Sequence, residues 1–413
     1  MKVILHLDLD SYFVSAHRTI DKSTIGHPTV VTSGKKRSII TACSYEAKYL
    51  GIHTGMPLYK ALNIRPNLKM IKPDFSLYVS LSQKIFDLIT NEYTGKIEIG
   101  SIDECYIDAT DIWKKYGSPL NLAKEIQENI LKKLSLPSSI GISNNKFVAK
   151  MASPLEKPYG IKVLKAEDFL DFFKDKKIEK IHGIGSPTAK KLNDIGIFLI
   201  GELSNSNLNI IENILGKRAK EIYDKSLGIG SDEIDTSLND LKSIGNSITF
   251  LQNDKTGRRY ILETLKELCL LVSKRMENRN MCGKVIRVAI KYSDDNKPRS
   301  KQIKLSRYIW KFEKIYQEAV ELFDVIWNHE PLKFLSFTIT DLENIFEVKE
   351  QLSLFDKNKS SNNIGDIVKS VNTKMKTKAI YKGNEFEAVL NKNKKQSKYL
   401  ENDKEIWKEV KRH

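Results

Sequence analysis

Residues 3 to 9 form a short apolar run with Asp8 near its end, the pattern of a buried strand that delivers a carboxylate to a sheet edge. Ser33-Gly34-Lys35-Lys36-Arg37 reads as a turn. Ile39-Ile40-Thr41-Ala42 then starts a strand, and Tyr45 to Leu50 form a short helix stopped by Gly51. Leu81, Ile85, Leu88 and Ile89 recur at helical spacing, as do Leu122, Ile126, Ile130 and Leu134, predicting two helices that pack on a sheet. Between them, Ile97 to Asp108 has two apolar segments flanking Ser101-Ile102-Asp103-Glu104, a hairpin with acids at its tip. Ser139-Ile140-Gly141-Ile142 gives a further strand.

Residues 166–229 are helical in pattern and place His182-Gly183-Ile184-Gly185 before a helix that Pro187 can begin. After a polar stretch from Gly230 to Asp240 the order becomes strand, helix, two strands, helix, strand, ending with alternating Leu335, Phe337 and Ile339. From about Phe346 the chain is rich in Lys, Asn, Ser and Glu, so this tail is expected to add little core and to be flexible. No solenoid-period repeat is present.

At 413 residues the chain is long for one core, and 40% hydrophobic content supports several modest domains. The 68 Lys and Arg against 52 Asp and Glu leave a formal charge of +16, which favours a polyanion. Nucleic acid leads over an anionic membrane surface, because no stretch approaches the roughly 20 apolar residues that span a bilayer. A soluble, cytoplasmic protein without a secretion signal is expected. Cys43, Cys105, Cys269 and Cys282 are too scattered for a zinc ribbon, and no His pair has helical metal-binding spacing.

Asp8 and the pair Asp103-Glu104 are the candidate chemistry. Nucleotide transfer needs the triphosphate positioned and its developing charge neutralised, and two magnesium ions held by carboxylates do both. Three acids on one sheet edge repel one another unless cations lie between them. By spacing alone, edge charges and a polar hairpin tip explain these residues equally well.

Asp8-Leu9-Asp10-Ser11-Tyr12-Phe13, Tyr45-Glu46-Ala47-Lys48, Ser101-Ile102-Asp103-Glu104-Cys105-Tyr106, Gly141-Ile142-Ser143-Asn144-Asn145-Lys146 and Lys157-Pro158-Tyr159-Gly160 closely resemble the Y-family translesion DNA polymerases, in the family's order. The similarity extends to about residue 345. It implies an α+β multidomain right-hand polymerase. The palm would be residues 1–10 and 78–165, small fingers 11–77, and a helical thumb with a helix-hairpin-helix 166–229. A linker at 230–241, a β-α-β-β-α-β little finger at 242–345 and a tail at 346–413 complete the chain.

The resemblance also assigns roles. Asp8 and Asp103 would touch both magnesium ions, Glu104 the ion that activates the primer hydroxyl, and the Leu9 carbonyl the nucleotide-bound ion. Asp10 would support these ligands from behind. Phe13 matches the steric gate whose ring excludes a 2′-hydroxyl, and Tyr12, Tyr45, Lys48 and Lys157 would join it around the dNTP.

Gly183 and Gly185 resemble a helix-hairpin-helix turn that brings backbone N–H groups to a DNA phosphate, with Ile214-Leu215-Gly216-Lys217 a possible second copy. In the little finger Arg287, Lys291, Arg299, Lys301 and Lys304 alternate with Ile286, Val288, Ile290, Ile303 and Leu305, predicting one basic sheet face for primer-template DNA. Gln351-Leu352-Ser353-Leu354-Phe355 resembles a sliding-clamp-binding pentapeptide. Cys105 and His17 depart from common family choices without removing a ligand. The expected activity is monomeric, distributive, error-prone, template-directed primer extension without proofreading. The alternatives are another palm-type nucleotidyltransferase, such as a cyclase, and a noncatalytic DNA-binding accessory protein.

Overall fold

The structure, a computed structural model, describes residues 2–34, 38–236, 241–250, 257–293 and 297–348. The clamp-like peptide Gln351-Leu352-Ser353-Leu354-Phe355, most of the tail, the end of the polar linker and Lys35 to Arg37 of the expected turn lie outside the described residues. The chain divides into two compact units, residues 1–244 and 245–413.

In chain order the first unit contains β1 (Ile4–Leu9), α1 (Tyr12–Arg18), β2 (Thr29–Val31), β3 (Ala42–Cys43), α2 (Tyr45–Tyr49), α3 (Leu58–Ile64), β4 (Lys69–Ile71) and α4 (Phe75–Glu92). It continues with β5 (Ile97–Ile99), β6 (Glu104–Asp108), α5 (Pro119–Leu134), β7 (Ser138–Ser143), α6 (Lys146–Ala152) and β8 (Ile161–Val163). Five short helices follow: α7 (Phe169–Phe173), α8 (Ser186–Asn193), α9 (Ile200–Ser204), α10 (Leu208–Leu215) and α11 (Ala219–Ser226).

The main sheet has strand order β5-β6-β1-β7-β8. Alternation along β1 sends Leu5, Leu7 and Leu9 to one face, where Ile107, Ile140, Ile85, Ile89, Ile126 and Ile130 complete a core with α4 and α5. The opposite face receives His6 and Asp8, and antiparallel pairing sets Tyr106 beside His6 and Glu104 beside Asp8. Helix α6 lies across this second face. Its close approach requires Gly141, since a Cβ there would stand 2.0 Å from the Ala149 carbonyl oxygen.

A smaller sheet, β3-β2-β4, and helices α2 and α3 enclose Val30, Ile40, Cys43, Ala47, Ile52, Ala61 and Leu68. The strand expected from Ile39 is displaced: Ile39 makes only an isolated bridge to Pro57, and pairing with β2 begins at Ala42. The short helices α7 to α11 close around Phe169, Phe173, Ile184, Leu192, Leu203, Ile211 and Ile222.

The second unit's sheet and helices run β9 (Ser243–Thr249), α12 (Arg258–Glu277), β10 (Met281–Tyr292), β11 (Arg299–Ile309), α13 (Phe312–Ile326), β12 (Leu332–Asn344), the β-α-β-β-α-β order read from the sequence. Strand order is β11-β10-β12-β9. Ile286, Val288, Ile290, Leu335, Phe337 and Ile339 are buried, as are Leu265, Val272, Leu322 and Phe323 of the helices. All four cysteines are free and buried. Among the described residues no helix is long and apolar enough to cross a membrane.

Candidate active site

The end of β1 and the start of β6 bring the predicted acids together. Asp8 pairs in register with Glu104, and the Leu9 amide donates to the Asp103 carbonyl at 2.9 Å, fixing the strand that carries one acid against the tip that carries the others. Each of these carboxylates meets a donor. The Lys157 ammonium donates to Asp8, Lys150 Nζ lies 2.6 Å from Glu104 Oε2, and the Ser101 hydroxyl donates to Asp103.

Burial pushes the Asp8 carboxyl above its ordinary range, against the pull of Lys157, and the nearby Asp103 charge pushes it further. His6 and Lys150 hold Glu104 down at about 2, although burial opposes them. His6 is itself pushed down by burial. Its Nε2 nevertheless stands 3.6 Å from Glu104 Oε2, beyond hydrogen-bond length, and has no partner.

Among the described residues no three acid, His or Cys side chains are gathered closely enough to hold a metal ion as they stand. The donor chemistry still fits a hard divalent cation: three carboxylates are brought together by neighbouring strands, and two of them, Asp8 and Glu104, are paired with lysine ammonium groups where a cation's charge is called for.

Asp10 is 2% exposed and organises the surroundings. It accepts from the Tyr45 hydroxyl at 3.1 Å, the Ser139 hydroxyl at 2.9 and 3.0 Å and the Tyr159 amide at 2.8 Å, with Lys157 Nζ at 3.7 Å. Tyr45 starts α2, whose Ser44 cap accepts from the Ala47 amide. Burial and the Asp10 charge raise the Tyr45 phenol far above its ordinary range, so it stays a donor. Lys48 Nζ sits 4.1 Å over the Tyr45 ring and donates to Ser11 Oγ at 3.0 Å. Burial lowers the Lys48 pKa. Tyr45, Lys48 and Lys157 therefore converge beside the acids.

Phe13 is half-buried and stacks on Tyr78 with centroids 4.2 Å apart and planes 7° from parallel. The Tyr78 hydroxyl lies 2.9 Å from His17 Nε2. Tyr12 is 3% exposed and its hydroxyl donates to the Tyr78 carbonyl, so its side chain belongs to the core. The core claims the phenol because α1 turns that position toward α4.

Gly183 has φ +100°, a conformation a side chain would strain, and Gly185 immediately precedes α8. Arg218, just after the second glycine turn at Gly216, donates to the Gly183 carbonyl at 3.0 Å and ties the two turns together.

In the second unit the single basic face is corrected. Directly paired residues share a face. Val285↔Lys304, Arg287↔Gln302 and Lys291↔Phe334 put Lys304, Arg287 and Lys291 on the open side. Val288↔Lys301 and Ile290↔Arg299 put Lys301 and Arg299 on the helix side of the edge strand, where Arg299 lies 4.7 Å over the Tyr292 ring. Along β11 itself Arg299 and Lys301 share the parity of Ile303 and Leu305 and oppose Lys304; only the match of these faces to those of β10 rests on the pairing register.

Sequence reasoning missed His6, Lys150, Ser139 and the Tyr159 amide. His6 was findable, standing two residues before Asp8 on the same strand face. Lys150 required knowing that α6 crosses that face.

The family described as impB/mucB/samB matches residues 7–154, and its C-terminal domain matches residues 241–354. The DNA polymerase IV of Bacillus anthracis is 39% identical over 358 residues, 86% of each chain. The DNA polymerase IV 1 of Bacillus subtilis is 34% identical over 100% of this chain and 99% of its own. Among solved structures, the Y-family DNA polymerase chimera Dbh-Dpo4(243-245)-Dbh aligns with TM-score 0.74 and 27% identity, covering 82% of this chain and 98% of that one. DinB from Sulfolobus solfataricus aligns with TM-score 0.57 and 26% identity over the same shares.

Proposed function

Because this chain belongs to the impB/mucB/samB family and is a Y-family DNA-directed DNA polymerase of translesion synthesis, we propose that Asp8, Asp103 and Glu104 form its nucleotidyl-transfer site. The observation that carries this is the in-register pairing of Asp8 with Glu104 beside Asp103, each of Asp8 and Glu104 already facing a lysine ammonium. Two magnesium ions held by Asp8, Asp103, Glu104 and the Leu9 carbonyl would supply charge neutralisation of the triphosphate and a more acidic primer hydroxyl.

The chain's own groups do the remaining work. Lys157, now donating to Asp8, and Lys48 offer their ammonium donors to phosphate oxygens, while Tyr45 is kept in place by Asp10. Phe13, held flat against Tyr78, would act as the steric gate that excludes a 2′-hydroxyl. The β1–β6–β7 sheet is then the palm, the β2–β4 region the fingers, α7 to α11 the thumb and the second unit the little finger. The turns at Gly183 and Gly216 grip DNA phosphates, and Arg287 and Lys291 add backbone contacts from the open sheet face. Gln351-Leu352-Ser353-Leu354-Phe355 tethers a monomeric, cytoplasmic enzyme to a sliding clamp, raising its local concentration at primer ends.

Primer extension tests the site. Asp103→Ala and Glu104→Ala should each lower incorporation by at least about a hundredfold, and parental rates in either would refute the ligand assignment. Trimming the chain before Gln351 should preserve basal extension while removing stimulation by the clamp; stimulation that survives trimming refutes the tether.

A further inference from the structure

Oxygen Oε2 of Glu104 is approached from two sides. Lys150 Nζ reaches it at 2.6 Å, and His6 Nε2 stands 3.6 Å away. That second gap is about 0.6 Å beyond an ordinary N–H···O length. His6 is completely buried, and its Nε2 is one of three buried side-chain atoms without a hydrogen-bond partner among the described residues. A buried polar atom in that state is costly, by about 1–3 kcal/mol in general.

The other ring nitrogen shows which way the ring faces chemically. His6 Nδ1 lies 2.8 Å from Ser153 Oγ, which is also 3.1 Å from the Lys150 carbonyl. A hydroxyl has one proton to give. If it goes to the Lys150 carbonyl, the ring proton sits on Nδ1 and Nε2 turns a bare lone pair toward a carboxylate, two acceptors face to face. If it goes to Nδ1, across the shorter separation, Nε2 carries the proton and offers an N–H to Glu104. Only the second arrangement avoids the repulsion. The ring cannot turn aside, since Tyr106 lies against it with centroids 4.8 Å apart and α6 is packed over the same sheet face.

We propose that His6 is a positioning residue for Glu104: its Nε2–H holds Oε2 from behind, so that Oε1 is the oxygen left to face a divalent cation. This rests on the reading of Glu104 as a metal ligand. Lys150 cannot fill the role alone, because an ammonium is repelled by the incoming cation and can swing away, whereas a neutral N–H donor fixed in a buried ring stays. Outer partners of this kind orient ligating carboxylates and commonly change metal affinity by about 10–100-fold when removed. Gly100 adjoins the carboxylate: a Cβ there would stand 3.0 Å from Glu104 Oε1, close enough that the side chain would have to give by a few tenths of an ångström.

Two substitutions separate positioning from packing. His6→Asn keeps an amide at the level of Nδ1, toward Ser153, and removes the donor facing Glu104; His6→Gln is long enough to place an amide N–H where Nε2 stands. Full-length protein is bound to primer-template DNA and a non-hydrolysable dNTP, and Mn2+ binding is followed by electron paramagnetic resonance without turnover. His6→Asn should weaken Mn2+ binding about tenfold or more, with His6→Gln restored to within about threefold of the parent. Parental binding in His6→Asn, or equal weakening in both variants, overturns the proposal. Glu104→Gln is run alongside. If it leaves Mn2+ binding unchanged, the ligand reading of Glu104 has failed; if it weakens binding while His6→Asn does not, only the role of His6 has. Should His6→Asn not fold, isotope-edited nitrogen NMR of the unsubstituted protein decides: the His6 ring should carry its proton on Nε2, and a proton on Nδ1 overturns the proposal.

Discussion

Replacing Asp10 with alanine removes an acceptor that three donors share. The Ser139 hydroxyl and Tyr159 amide are held at 2.8–3.0 Å and the Tyr45 hydroxyl at 3.1 Å, around a side chain that is 2% exposed. Hydrogen bonds to a charged group contribute about 1.5–3 kcal/mol each. Tyr45 is only partly buried and Tyr159 is exposed, so both can recover water, whereas Ser139 is fully buried and cannot. A net loss of about 3–5 kcal/mol follows. At roughly 2–4 °C per kcal/mol for a unit of this size, the first unfolding transition should fall by about 6–20 °C. Lys157 also loses the second of its two carboxylates, 3.7 Å away, and Tyr45 loses its tether. The KM for dNTP should therefore rise by about tenfold while kcat falls less. Asp10→Asn keeps one acceptor and should lie between parent and alanine on both scales. The assays are thermal unfolding and steady-state single-nucleotide incorporation. An Asp10→Ala protein that melts within about 2 °C of the parent and has its KM would refute the claim that this acid holds the nucleotide side of the site together.

Phe13→Ala should admit ribonucleotides, narrowing the sugar preference by roughly 10–200-fold in competitive primer extension; unchanged discrimination dismisses the gate. Gly141→Ala forces α6 off the sheet, because the added carbon would stand 2.0 Å from a backbone oxygen. Chemical denaturation should show a loss of at least about 1–3 kcal/mol, and a neutral result would mean α6 has room it does not show. Arg287→Ala and Lys291→Ala should each flatten the logarithmic salt dependence of DNA binding by about 0.9, in titrations from low to moderate salt, if each meets a phosphate. Because Lys301 lies on the helix side of its strand, Lys301→Ala should flatten it less, and the reverse ranking would contradict the register.

How much of this was legible in advance varies by residue. Asp8, Asp103 and Glu104 could be picked out because strand alternation and a hairpin tip put acids at predictable ends of short apolar runs, and the motif order supplied their meaning. The β-α-β-β-α-β order of the second unit was readable because helical and strand periods differ and change at polar breaks. These are properties of neighbours along the chain.

What only the tertiary structure decided are pairings between distant segments. That Lys150 and Ser153 of one helix end reach Glu104 and His6 respectively, that Asp10 collects donors from three separate segments, and that Tyr12 belongs to the core while Phe13 stacks at its rim all depend on which elements pack together. The split of Lys301 and Arg299 from Arg287 and Lys291 depends on register, where a shift of one residue exchanges the faces of a strand. Local sequence sets the period of an element and the chemistry at its ends. The partner across the sheet or helix face is chosen by the total free energy of packing, to which residues more than a hundred positions apart contribute equally with neighbours.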